Sequence, residues 1–220
     1  MKKQFFQSYV FIVLVIMAAA AFLYYVPITQ SLFSLKIKPA PTAIPDYSGW
    51  RSYTNQKFSI YLKYPDTFQL KPGQTGPLAE WQLYGLTDGN EIVSIEIPRS
   101  YQSRTNFGGA SLRIGVSTEA TAVKACLNPP SSFGYKDAYV QRMIGGAVFR
   151  EFTRSESGAG NHYSFSSYRA VRNGGCEVFE YVIHHSNLQN YPLESKVREY
   201  DKIVVTKALE SILDTVGFTK

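Results

Sequence analysis

Two strand-like runs, residues 162–172 and 175–185, flank the dipeptide Asn173-Gly174. No other feature of the chain restricts its fold as much. Both central positions of a type I′ turn need positive φ, which asparagine tolerates and glycine adopts freely, so the dipeptide predicts a tight hairpin. A two-residue turn sets Arg172 opposite Gly175, Val171 opposite Cys176, Arg169 opposite Val178, Phe165 opposite Val182 and His162 opposite His185. Side chains alternate between the two faces of a strand. One face then carries Phe165, Val171, Cys176, Val178 and Val182, an apolar set suited to a core, with Arg169 and Glu180 as diagonal charges able to pair. The other face carries Tyr168 with Phe179, Ser166 with Tyr181, and the two histidines. A three-residue Asn-Gly-Gly turn would shift the register and bring Tyr163 opposite His185.

Phe58, Ile60 and Leu62 alternate with Ser59, Tyr61 and Lys63, which predicts a half-buried strand ended by Pro65-Asp66. Further strands are predicted at 81–86, 91–97, 111–116, 138–144 and 147–154, with turns at 87–90 and at Gly145-Gly146. A short helix is predicted over 118–127, capped by Ser117 or Thr118, with Ala120, Val123 and Leu127 on its inner face and Asn128-Pro129-Pro130 as its stop. A second helix, 201–215, buries Val205, Leu209, Ile212 and Val216 and leaves Lys202, Lys207 and Glu210 for solvent. Strands dominate, so residues 48–220 read as an α+β domain built on antiparallel sheet.

Ahead of this domain, residues 9–26 are apolar and carry no charge. As a helix they reach about 27 Å, close to the hydrocarbon thickness of a bilayer. Lys2 and Lys3 on the near side place residues 1–8 in the cytoplasm, and Tyr24 and Tyr25 suit the far interface. The competing reading is a cleaved signal peptide, with Ala18-Ala19-Ala20 offered to a peptidase. Against cleavage, the apolar character continues through Phe22, Leu23 and Val26. Residues 27–47 hold prolines at 27, 39, 41 and 45 and read as a stiff linker. The expected arrangement is one transmembrane helix in the cell membrane with the domain on the extracytoplasmic side.

The net charge of +6 is mostly a property of that membrane end. Four of the 23 basic residues (Lys2, Lys3, Lys36 and Lys38) precede Asp46, which leaves 19 against 16 carboxylates from Tyr47 onward. Such a balance lacks the basic footprint of a nucleic-acid binder.

The opening YTNQKFSIYLKYP (53–65) resembles the first strand of PsbP-like domains, and KALESILDTVGF (207–218) resembles their terminal helix. The resemblance implies a fold, an antiparallel sheet packed with helices. Plant PsbP proteins are extrinsic subunits of photosystem II; this chain departs from them by its apparent anchor, and nothing in it points to photosynthesis. Residues 158–187 also resemble a segment of exported bacterial proteins.

Chemistry is sparse. Cys126 and Cys176 are the two cysteines. In an exported domain they are expected to form a disulfide, the alternative being two buried thiols. His162 and His185 are candidate metal ligands, but a pair falls short of the three or four ligands zinc takes. Ser155–Gly160 is neither a nucleophile elbow nor a phosphate loop, 88–91 lacks the spaced oxygens of a calcium loop, and no catalytic residue is assigned. No cofactor is implied. Tyr168, Phe179 and Tyr181 form a binding patch if their face is open, and core if a helix covers it. The expected function is a non-enzymatic, membrane-tethered binding or assembly module of the cell envelope, with an envelope protein or glycan as partner. The alternative is an envelope hydrolase whose site is scattered along the chain.

Overall fold

A computed structural model describes residues 46–73, 89–128 and 140–219. They belong to the unit Ile37–Lys220; a first unit, Met1–Lys36, lies outside them. The expected anchor at 9–26, nearly all of the linker, the strand at 81–86 and the first half of the turn at 87–90 also lie outside the described residues. Among the described residues no helix is long and apolar enough to cross a membrane.

The hairpin is at the centre. Strands β8 (Asn161–Arg172) and β9 (Gly175–Ser186) are joined by Asn173 (φ 49°) and Gly174 (φ 75°), both left-handed as a type I′ turn requires. The register is that of the two-residue turn, with Arg172 opposite Gly175 and His162 opposite His185. On the other side of β9 lies β5 (Phe107–Ser117), then β4 (Asn90–Ile97) and the short β3 (Gln69–Pro72). Beyond β8 lie β7 (Ala147–Gly158) and β6 (Val140–Ile144), joined by Gly145 and Gly146, both at positive φ. The result is a seven-stranded sheet of order β3-β4-β5-β9-β8-β7-β6, each pair antiparallel.

A second sheet holds β1 (Trp50–Asn55), β2 (Ile60–Pro65) and β10 (Gly217–Phe218), in the order β1-β2-β10. The predicted alternation holds from Ile60 on, with Ile60, Leu62 and Tyr64 buried. It starts two residues later than expected because Ser59 takes φ 55° in the turn from β1, a strand the polar-rich WRSYTN did not announce.

Helix α2 (Lys202–Leu213) packs between this sheet and the large one. Asp201 caps it, its carboxylate accepting from the N–H groups of Ile203 (2.9 Å) and Val204 (3.1 Å). Val205, Leu209, Ile212 and Val216 are buried as predicted, joined by Leu213. They meet Ile60 and Leu62 from the small sheet and Ile95, Leu112, Ile114 and Phe179 from the large one. Each such side chain, once buried, contributes about 1.5–3 kcal/mol.

Helix α1 (Ala120–Ala125) is shorter than predicted and faces inward differently. Its buried positions are Ala122 and Cys126, while Ala120 is exposed and Val123 and Leu127 are half-buried. The disulfide determines the orientation. Cys126 is bonded to Cys176, with Cα atoms 5.6 Å apart, so the helix must turn that side toward β9. The N-cap position is Glu119, whose N–H donates to Ser117 Oγ at 3.4 Å. Val171, assigned to the core face from the hairpin pattern, is 43% exposed, because α1 reaches Cys176 and Val178 but leaves the start of the hairpin uncovered.

Candidate functional site

Antiparallel pairing carries the alternation of β9 across its neighbours. One face of the large sheet receives α2 and the small sheet. The opposite face is lined with charge. Glu180 on β9 is opposite Arg113 on β5 and Ser167 on β8; Arg169 lies two residues from Ser167, and Arg154 on β7 is opposite Phe165. Around Arg169 and Glu180 this face is nevertheless closed. Arg169 is 1% exposed and Glu180 is fully buried.

The arginines are held by their surroundings. Arg169 Nε donates to Ser167 Oγ at 3.0 Å, and its guanidinium lies 5.6 Å from the Phe152 ring centre. The Arg154 guanidinium lies 4.0 Å from the centre of Phe165 and pairs with Glu156. Neither oxygen of Glu180 makes a well-formed hydrogen bond. Burial pushes this carboxyl up to about 7, against attraction from Arg169, Arg113 and Arg154 and a smaller contribution from Ser167. Arg169 and Glu180 thus share one face, where the hairpin register places them, together with Arg113 and Arg154.

One residue pair along from Arg113 and Glu180, the face opens. A cavity of about 340 Å³ is lined by Glu96, Arg99, Ser111, Arg113, Val182 and His184, with Gly108 and Gly109 beside them. The β5 strand bulges between Phe107 and Gly109. Glycine is needed on both counts: Gly109 takes φ 138°, and a Cβ on Gly108 would come within 2.2 Å of His184 Nδ1. The His184 ring stacks on Tyr163, centroids 4.5 Å apart. Its Nε2 meets Asn161 Oδ1 at 2.9 Å, while Asn161 Nδ2 donates to the Ala159 carbonyl. Asn161 Oδ1 therefore accepts, so Nε2 bears the proton and Nδ1 keeps its lone pair. Burial, and then Arg99, hold the His184 pKa below its usual value. Glu96 is tied outward by Lys71 at 2.7 Å.

The residues singled out from sequence are distributed otherwise. Tyr168, Phe179 and Tyr181 are buried in the core beneath α2 and form no open patch. The Tyr168 hydroxyl donates to Glu151 at 3.0 Å, and Arg142 links this neighbourhood to Asp214 at 2.6 Å. His162 and His185 do face each other, but their rings stack at 4.8 Å and 17°. Nitrogen lone pairs lie in the ring plane, so two nearly parallel rings do not converge on one ion. Ser157 Oγ engages His162 Nδ1 at 2.8 Å, and no group of three His, Cys, Asp or Glu side chains suited to a metal occurs among the described residues. Cys126 and Cys176 are joined, as expected.

Sequence reasoning missed Arg99, Arg113, Arg154 and the Gly108-Gly109 bulge. A lone arginine between Leu112 and Ile114 was visible as the outward member of an alternating strand. Its position opposite Glu180 depends on β5 pairing with β9 across more than sixty residues, which no local pattern records.

No protein-family model matches the chain, and no curated protein matches its sequence. Three solved structures are similar to it. A protein from Bacteroides thetaiotaomicron VPI-5482 has a TM-score of 0.43 at 11% identity, over 78% of this chain and 49% of that one, so the chain spans about half its length. Cyanobacterial PsbP (CyanoP) from Synechocystis sp. PCC 6803 has a TM-score of 0.41 at 8% identity, over 83% of this chain and 99% of that one. LpqN, involved in cell envelope biogenesis of Mycobacterium tuberculosis, has a TM-score of 0.33 at 13% identity, over 73% and 83%.

Proposed function

We propose that this chain is a membrane-tethered, extracytoplasmic binding or assembly module of the cell envelope, and that it binds in the cleft where β4, β5 and β9 meet. The observation that carries the reading is the cleft itself, a cavity of about 340 Å³ where Arg99, Arg113 and His184 converge from three elements. The apolar run at 9–26 supports the tether, and the disulfide supports an oxidising compartment. A photo-crosslinking residue at Ser111, in the cleft, and one at Ile203, exposed on α2, test it in cells making the full chain. A discrete adduct from Ser111 and none from Ile203 is expected. Equal adducts from both, or none from Ser111, would refute the reading.

Glu180 is what favours an envelope hydrolase as the second reading, since a carboxyl near neutrality beside a cleft suits acid-base work. That reading requires turnover of wall material that is lost in Glu180→Gln.

A further inference from the structure

Granting that the cleft is the binding site, we infer that it holds an oxyanion, a carboxylate or phosphate group of the ligand, between the guanidinium groups of Arg99 and Arg113. The two arginines come from different elements, Arg99 from the turn after β4 and Arg113 from the middle of β5, yet line one cavity. A guanidinium presents paired N–H donors that match the oxygens of carboxylate and phosphate. Glu96 is the one carboxylate in the cleft's described wall, and Lys71 counters its charge from the neighbouring strand. Arg99 is anchored lightly, by the Tyr191 hydroxyl at 3.4 Å, so it can turn toward a ligand. His184 adds a third polar wall, its ring seated where a side chain at 108 would be.

Proton uptake accompanies the anion. Glu180 faces Arg113 from β9, with Arg169 and Ser167 on β8 and Arg154 on β7 around it. An oxyanion at Arg113 competes with the Glu180 carboxylate for the same cation and favours its protonated form. His184 is faced by Arg99, Tyr163, Asn161 and His185, and a negative charge in the cleft offsets the repulsion from Arg99. Both groups bind protons more readily in the complex, so the anion binds more tightly as pH falls.

The test is titration of the full chain with inorganic phosphate and, separately, acetate at constant ionic strength, reading the His184 ring resonances by NMR. Saturable shifts are expected, and for acetate, which stays ionised throughout, several-fold tighter binding near about pH 6 than near about pH 8. Arg99→Gln is expected to weaken binding about tenfold, the scale of one hydrogen bond to a charged group. Arg99 is exposed and outside the core, so this variant keeps the fold; Arg113→Gln is the second variant. Phosphate well ahead of acetate assigns a phosphate-bearing ligand, and parity assigns a carboxylate. Unsaturable shifts, or shifts unchanged in Arg99→Gln, overturn the inference. If Ser111 still crosslinks while neither anion binds, the cleft remains a binding site and only its anionic character is refuted.

Discussion

Glu180 makes the most exacting prediction. The folded protein holds this carboxyl at about 7, against an ordinary value of 4.5, because burial outweighs three nearby arginines. A folded-state pKa above the unfolded one contributes stability that is fully present below about pH 4.5 and is lost as pH rises through about 7. At 1.36 kcal/mol per pH unit, the displacement corresponds to about 3 kcal/mol. Glu180→Gln removes the titration and keeps the size. The sign of its effect at any single pH mixes two contributions, relief from burying a charge and loss of a partner for Arg169, and the second alone can cost several kcal/mol. The pH dependence separates them. Urea unfolding of both proteins, disulfide intact, is expected to show the variant gaining about 3 kcal/mol on the wild type between about pH 4.5 and pH 8. Other titrating groups cancel in the difference. A difference that stays flat over this window, or moves the other way, would refute the account of a desolvated carboxyl.

Replacing Cys126 and Cys176 together by alanine opens a loop closed at a separation of 50 residues and is expected to cost up to about 4 kcal/mol, measured by the same unfolding assay. Asp201→Ala removes the cap from α2 and should cost about 1 kcal/mol, with faster hydrogen exchange at Ile203 and Val204. Burial, and then His162, lower the pKa of His185, so the unfolded chain takes up its proton first and stability falls as pH drops below about 6.5. His185→Gln should flatten that acid limb, and an unchanged limb would exclude His185 as its source. Gly108→Ala drives a methyl into His184 and should shift the His184 ring resonances and lower the melting temperature, because the ring must leave Tyr163 and Asn161.

The parts of this fold legible in the sequence are those specified by neighbours in the chain. Asn173-Gly174 located the hairpin and left two registers, of which the structure has that of the two-residue turn, and the 3.6-residue spacing of Val205, Leu209 and Ile212 identified the buried stripe of α2. Failures came where a distant partner decides. The inward face of α1 follows from a bond to Cys176, and periodicity over so short a helix was a weak guide beside it. Tyr168, Phe179 and Tyr181 read as core if a helix covers their face and as a patch if it is open, and only the distant packing of the chain makes them core. The hairpin pattern also assigned Arg169 and Glu180 to a core face, and the structure explains how charge sits there: guanidiniums lie against Phe152 and Phe165, and the carboxyl titrates near neutrality.

That accommodation bears on the cleft. A sheet face that buries Arg154, Arg169 and a carboxyl with no well-formed hydrogen bond is held by charges that balance only in part, and burying them costs more than an apolar face of the same size. Glu180 and the two histidines on β9 oppose each other in their pH dependence. Acidification relieves the buried carboxyl and burdens His184 and His185. Their effects overlap between about pH 4.5 and 7, so stability there changes less than either group alone would require. A ligand anion reaching Arg113 tips this balance by neutralising charge on the closed face and supporting protons on both Glu180 and His184. The polar arrangement that weakens the free domain is then what gives the cleft its preference, and the two should separate in one variant. Glu180→Gln is expected to stabilise relative to wild type as pH rises and also to flatten the pH dependence of acetate binding, since the carboxylate that competes for Arg113 is gone. A variant that changed stability in this way yet bound acetate with the wild-type pH profile would show that the closed face and the cleft are energetically independent.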